Sequence, residues 1–127
     1  MPGHELKLLP QEMAVCRLPP AGEPPGWALR AAFLCLTRTD DELSVICPQT
    51  EVPPGVEAAG GWRCLKVRGP LEFNQVGVLA SLAQPLAQAG VSILAVSTYE
   101  TDYLLVPAQD LDAAVSVLRK HGHAVDL

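Results

Sequence analysis

The side chains able to do chemistry in this sequence are few and scattered. Asp40-Asp41-Glu42 and the Glu100/Asp102 pair stand in polar stretches between apolar runs. Paired carboxylates can perform acid–base work, but a hairpin tip is ordinarily solvated, and Asp40, Asp41 and Glu42 are read that way. Asp102 differs, because it opens an apolar run beside Tyr99 and Tyr103. Burial next to an opening there would suit an ion pair with an ammonium or guanidinium group, while the plainer alternative is that Asp102 caps a hairpin. His121 and His123 flank Gly122 with no acidic or cysteine ligand set nearby, so a surface position is expected for both, and no metal site. Cys16, Cys35, Cys47 and Cys64 are widely spaced without a C-x-x-C pair. The last three sit in apolar runs, where a reduced thiol serves as a small hydrophobe. Nucleophile-elbow, phosphate-loop, dinucleotide-loop and zinc-protease motifs are all missing from the chain. The expectation is a protein that is not an enzyme and needs no cofactor.

The chain holds 127 residues, 49% of them hydrophobic, 18% charged and 5% aromatic. Such a chain can bury roughly two-thirds of its unfolded surface in one domain or two small ones. A mean hydropathy of +0.21 is too high for a disordered chain. No apolar run approaches the roughly 20 residues that cross a bilayer. Met1-Pro2-Gly3-His4-Glu5 has neither the basic nor the apolar part of a secretion signal. A cytoplasmic protein without a membrane partner is expected. Nine basic against fourteen acidic residues give a net charge of −5, which argues against a nucleic-acid partner, since phosphate binding requires a gathered basic surface. Arg63, Lys66 and Arg68 alternate with apolar residues, as on a solvated strand face.

Nine of the twelve prolines lie within the first 54 residues. Pro19-Pro20-Ala21-Gly22-Glu23-Pro24-Pro25-Gly26 can be neither helix nor interior strand, because proline lacks a donor and fixes φ. Beyond it, Ala28–Ala32 has room for one helical turn. The second half is more regular. Trp62–Arg68 alternates as a strand, and Gly69-Pro70 turns the chain. Asn74 is placed to cap a helix from Gln75, with Leu79, Leu82, Ala83, Leu86 and Ala89 at helical spacing and Gly90 ending it. Pro85 falls inside that pattern and predicts a kink. Val91–Ser97 reads as a strand, 98–101 as a turn and Asp102–Val106 as its hairpin partner. Leu111, Ala114, Val115 and Leu118 mark a second helix, and His123–Leu127 an edge strand. The order βαββαβ predicts an α+β, ferredoxin-like unit with two helices on a four-stranded sheet.

A shift of 59 residues lays Arg38–Pro48 over Ser97–Pro107, both reading strand, turn, strand, proline. The same shift aligns Leu6-Lys7-Leu8 with Leu65-Lys66-Val67 and Trp62–Lys66 with His121–Val125. The first half therefore reads as a reduced copy of the second, its first helix replaced by the proline-rich stretch. The expected division is residues 1–60 and 61–127, each too small to be self-sufficient.

The second half also carries a family likeness. Trp62–Phe73, then Val76–Ala80, Ala89-Gly90-Val91-Ser92-Ile93 and Ser97-Thr98-Tyr99-Glu100-Thr101-Asp102 resemble the small bacterial tandem-ACT proteins. That group is related to the CASTOR-type arginine sensors and to the ACT-like part of aspartate kinases. Leu43–Pro48 and the run into Gly61-Trp62 extend the resemblance over nearly the whole chain, and the S-T-Y-x-T-D segment is its most specific part. The resemblance implies two ACT-like units, the first reduced, and binding of an amino acid at interfaces between such units. It further implies that Thr98, Tyr99 and Asp102 help hold a cationic side chain, and that Gln75, Gly77 and Val78 help hold the amino-acid end. Gln75 departs from the arginine sensors, which carry an acidic residue there, and this weakens the case for arginine in particular. The physical sense of such a site is that the first turn of a helix offers unpaired N–H groups to a carboxylate, and Gly77 leaves the approach clear.

The reading that follows is a non-enzymatic regulatory module that binds an amino acid, dimerises as a homodimer and signals by linkage between sites. The alternative is an ACT-fold scaffold or protein-interaction module without a ligand. A small acid–base enzyme using Asp102 and Glu100 is the third and weakest alternative. With 127 residues, no catalytic domain is expected alongside, and the expectation is a stand-alone sensor.

Overall fold

A computed structural model describes residues 3–127, which group into two compact units. One unit takes residues 3–10 together with Arg63–Leu127; the other is Gln11–Trp62. Residues 3–10 thus group with the C-terminal half. Glu5-Leu6-Lys7 alternates exposed, buried, exposed, and Leu6, 2% exposed, is part of the C-terminal core.

The elements in chain order are β1 (Glu5–Leu18), α1 (Gly26–Leu29), β2 (Cys35–Arg38), β3 (Leu43–Pro48), β4 (Glu57–Val67), α2 (Val78–Gln88), β5 (Leu94–Ser97), β6 (Asp102–Pro107), α3 (Leu111–Lys120) and β7 (Ala124–Asp126). In the C-terminal unit β4, α2, β5, β6, α3 and β7 follow the anticipated βαββαβ order. The sheet departs from expectation in one place. Its strand order is β7-β1-β4-β6-β5, so the start of β1 lies between β4 and β7 as a fifth strand. β7 pairs in parallel with β1, Glu5 opposite Ala124 and Lys7 opposite Asp126, and the Arg68 N–H donates to the Glu5 carbonyl at 2.8 Å on the other side.

Leu65, Val67, Leu104 and Val106 from the strands meet Leu82 and Leu86 of α2 and Ala114, Val115 and Leu118 of α3. Each fully buried leucine contributes about 1.5–3 kcal/mol. Both helices end in the same hydrogen-bonded loop. The Val91 N–H reaches the Leu86 carbonyl after Gly90, and the His123 N–H reaches the Leu118 carbonyl after Gly122.

Three expectations for this half are corrected. α2 starts at Val78, and Asn74 does not cap it, because Glu72–Gln75 closes into a turn of its own. There the Gln75 N–H donates to the Glu72 carbonyl at 3.1 Å, and Gln75 Oε1 accepts the Glu72 N–H at 2.8 Å. The strand expected from Val91 begins at Leu94. His123 is 7% exposed, not a surface residue. Pro85 stays within α2, and the Ser81 carbonyl that its missing N–H leaves open lies 3.2 Å from His123 Nε2.

The N-terminal unit contains Gln11–Leu18 of β1, α1, β2, β3 and Glu57–Trp62 of β4. α1 is a single turn that starts at Gly26, directly after Pro24-Pro25, earlier than Ala28. Its core is small: Ala14, Cys16, Ala28, Leu43, Val45 and Cys47. The hairpin β2–β3 matches β5–β6 at the 59-residue offset in bounds and register, with Cys35 opposite Ile46 and Leu94 opposite Leu105. Even the turns agree. Thr39 Oγ1 accepts the Glu42 N–H at 3.2 Å and Thr98 Oγ1 the Thr101 N–H at 3.3 Å. Each hairpin ends on a proline, Pro48 or Pro107, and is then followed by a short 3-10 turn.

All four cysteines are free, and only Cys35 is not buried. Burial pushes the Cys64 thiol up to about 12 and, with Cys16 beside it, the Cys47 thiol up to about 11. Thiolates are the reactive form. A thiol reagent at about pH 8 is therefore expected to label Cys35 rapidly in the native protein and all four cysteines only in denaturant. Leu104→Ala should lower unfolding free energy by about 2–5 kcal/mol in a denaturant titration, because it leaves a cavity in a fully buried core cluster.

Candidate functional site

The six residues singled out in the sequence come from two segments of the C-terminal unit, the turn entering α2 and the β5–β6 hairpin. Three contacts bring those segments together. The Thr101 hydroxyl, on a residue only 4% exposed, donates to the Val67 carbonyl at 2.5 Å. The Leu71 N–H donates to the Glu100 carbonyl at 2.7 Å. The Phe73 and Tyr99 rings meet edge to face, 5.1 Å between centroids. Gly69 lies against the hairpin so closely that a Cβ there would sit 2.8 Å from the Glu100 carbonyl oxygen.

These contacts flank an open cavity of about 660 Å³, and Gln75, Gly77, Val78, Thr98, Tyr99 and Asp102 all line it. Their states differ. Gly77 takes a left-handed φ of 81° immediately before α2, a conformation that favours glycine. No side chain caps α2 at this end, and the first bond into its turn is Ser81 N–H to the Gly77 carbonyl at 2.9 Å. The N–H groups of Val78, Leu79 and Ala80 precede that bond and carry the positive end of the helix dipole. Asp102 stands opposite Ser97 in the hairpin register. The Ser97 hydroxyl donates to Asp102 Oδ1 at 2.6 Å, which orients the carboxylate and leaves Oδ2 uncommitted among the described residues. Thr98 spends its hydroxyl on the turn, donating to the Thr101 carbonyl at 3.1 Å. Gln75 gives its amide oxygen to the Glu72 N–H, so it retains only the amide N–H₂ for a ligand. Tyr99 stands 81% exposed at the rim.

Glu72, Phe73 and Ser97 also line the cavity, and sequence reasoning did not single them out; Glu100, noted in the sequence only for its pairing with Asp102, lines it too. Ser97 was legible in principle, since it faces Asp102 once the hairpin register is drawn. Phe73 was not, because only the folded loop brings it to Tyr99. Three carboxylates (Glu72, Glu100, Asp102) line the cavity and no Lys, Arg or His does so among the described residues. The arrangement can hold a carboxylate at the helix end and a cation at Asp102. Among the described residues no group of His, Cys, Asp and Glu is placed to hold a metal ion, and no helix is long and apolar enough to cross a membrane.

A βαββαβ unit with its cavity at a strand-to-helix turn defines a ferredoxin-like α+β protein. The ACT domain family profile matches residues 57–120, and the chain belongs to that family. A second profile, described as an N-terminal domain, matches residues 11–55. The human "cytosolic arginine sensor for mTORC1 subunit 1" is 37% identical over 60 residues, 46% of this chain. That match spans only 18% of the sensor's length. A crystal structure of a protein from Agobacterium tumefaciens is 37% identical with a TM-score of 0.92, covering 98% of this chain and 93% of that one. The regulatory subunit of aspartate kinase from Thermus thermophilus shares the fold, with a TM-score of 0.57 at 14% identity, over 94% of this chain and 93% of that one.

Replacing Gly77 with alanine meets no atom within 4 Å, so its cost is conformational. Gly77→Ala is expected to lose about 1–2 kcal/mol in chemical denaturation. Thr101→Val, which removes the buried hydroxyl bond to the Val67 carbonyl, should cost about 1–3 kcal/mol in the same assay.

Proposed function

We propose that the chain is a non-enzymatic regulatory module of two ACT-like units, the N-terminal one reduced, that binds an amino acid in the cavity between the α2 turn and the β5–β6 hairpin. One observation carries this reading. An uncapped helix N-terminus and an oriented carboxylate, Asp102, line the same cavity. A zwitterion satisfies both ends, its carboxylate at the N–H groups and its positive charge at Asp102. The acidic lining favours a ligand with a basic side chain, and the likeness to an arginine sensor supports that class. Gln75, with its oxygen turned to Glu72, leaves the choice among basic amino acids to the rest of the lining.

The rim supports assembly as a homodimer. Phe73, Val76 and Tyr99 are 77%, 93% and 81% exposed, and a second copy seated there would cover them and place the site at an interface between ACT-like units. Ligand binding would then favour one arrangement of the dimer by its differential affinity. A sedimentation measurement should give twice the chain mass of 13.5 kDa, and Val76→Asp should shift it towards one.

A thermal-shift screen tests the site itself, because a ligand that binds only the folded state raises the melting temperature. Lysine, ornithine or arginine should stabilise the protein, and aspartate and glutamate should not. Asp102→Asn keeps an acceptor for the Ser97 hydroxyl but removes the charge, so it should retain the fold and weaken binding by about tenfold or more. A flat screen across the amino acids, with the dimer intact, would favour a scaffold over a sensor.

A further inference from the structure

His123 occupies an unusual place for its type. It follows Gly122, whose φ of 90° turns the chain out of α3. In the matching loop after α2, the residue beyond the glycine is Val91, a core hydrophobe. An imidazole at this position must therefore have both ring nitrogens answered. Both are. The His4 backbone N–H donates to Nδ1 at 3.0 Å, and Nε2 lies 3.2 Å from the Ser81 carbonyl. A backbone N–H can only donate and a carbonyl can only accept, so the ring is neutral with its proton on Nε2. The Ser81 carbonyl is the one that Pro85, lacking an N–H, leaves without its helical partner.

We propose that His123 is a positioning residue for α2: its neutral ring ties the start of β1 to the first turns of the helix that opens the candidate site, and protonation undoes the tie. That it positions a ligand site rests on the amino-acid-binding reading above; the tie itself does not. A protonated ring carries N–H at Nδ1 as well, which would face the His4 N–H donor to donor. Among the described residues no carboxylate lines the cavity beside the ring to compensate the charge. His4, immediately before β1, stacks on the ring at 5.8 Å, and His121 stands at the end of α3. Facing the same cavity of about 350 Å³, α2 presents Ser81, Gln84, Pro85 and Gln88, with no carboxylate among the lining residues. Burial most of all, with His4 and His121 adding to it against the pull of the Ser81 carbonyl, holds the ring below the ordinary value of 6.5. The neutral form belongs to the folded state, so the stability it confers is complete above pH 6.5 and is lost as the pH falls from there towards the depressed folded-state value.

Hydrogen exchange, corrected for intrinsic rates, reads the tie without any ligand. In the native protein, protection of the His4 and Ala124 amides and of the second turn of α2 should fall on the order of tenfold between about pH 7.5 and about pH 5. In His123→Gln the side-chain amide can accept from His4 and donate to Ser81 but does not titrate, so protection should stay level across that range. His123→Phe, which keeps the packing and loses both bonds, should show the low protection already at about pH 7.5. Ring-nitrogen NMR should find the proton on Nε2. A proton on Nδ1, or a loss of protection in His123→Gln equal to that of the native protein, would overturn the proposal. If the exchange contrast holds but no amino acid binds at either pH, the tie stands and the ligand-site reading alone fails.

Discussion

The hydroxyl of Thr101, almost wholly buried, donates to the carbonyl of Val67 at the end of β4. Val67 is the last residue of that strand, and a buried carbonyl left unpaired there would carry its full desolvation cost. The bond therefore ties the tip of the β5–β6 hairpin to the point where the chain leaves the sheet for α2. Leu71 then reaches the Glu100 carbonyl, Phe73 meets Tyr99, and the chain turns through Gly77 into the helix. The walls of the cavity are consequences of that first tie. Neither the hairpin nor the α2 turn would make a concave site alone.

Helix α2 is held from the opposite side by a second polar contact. Proline in a helix interior normally breaks it, because it removes a donor and crowds the preceding turn. Here the open carbonyl at Ser81 is answered from outside the helix by His123, which also receives the backbone N–H of His4. The helix that offers its N-terminus to the cavity is thus fixed to the strand β1 that joins β7. Among the described residues of this unit the buried polar ones are Thr101 and His123, and each reaches a backbone carbonyl, Val67 and Ser81 respectively.

The two units solve the same hairpin problem with different support. β2–β3 and β5–β6 share bounds, register and the threonine turn. What packs on them differs. The C-terminal hairpin lies under two amphipathic helices, whereas the N-terminal one has a single helical turn behind a run of prolines and a core of small residues, Ala14, Ala28, Cys16 and Cys47 among them. Short side chains follow from thin cover: with little helix to fill the space, the chain closes in on its own sheet. Cysteine suits that place because it is small, apolar when protonated and readily buried.

The sequence alone determined what depends on periodicity and local chemistry. Alternation placed the hairpins, helical spacing placed α2 and α3, and Gly90 and Gly122 marked their ends. The 59-residue offset predicted a common hairpin geometry, and the family likeness pointed to six residues that the fold gathers round one cavity. Tertiary structure decided everything that depends on which groups meet. It moved the start of α2 from Gln75 to Val78, because a turn closed by Gln75's own side chain competes with the helix. It inserted β1 between β4 and β7, a pairing of distant segments that no local pattern encodes. It also buried His123, whose partners lie 119 and 42 residues away in sequence. Spacing reports the face a residue belongs to; only the assembled fold reports which polar groups are left for it to answer.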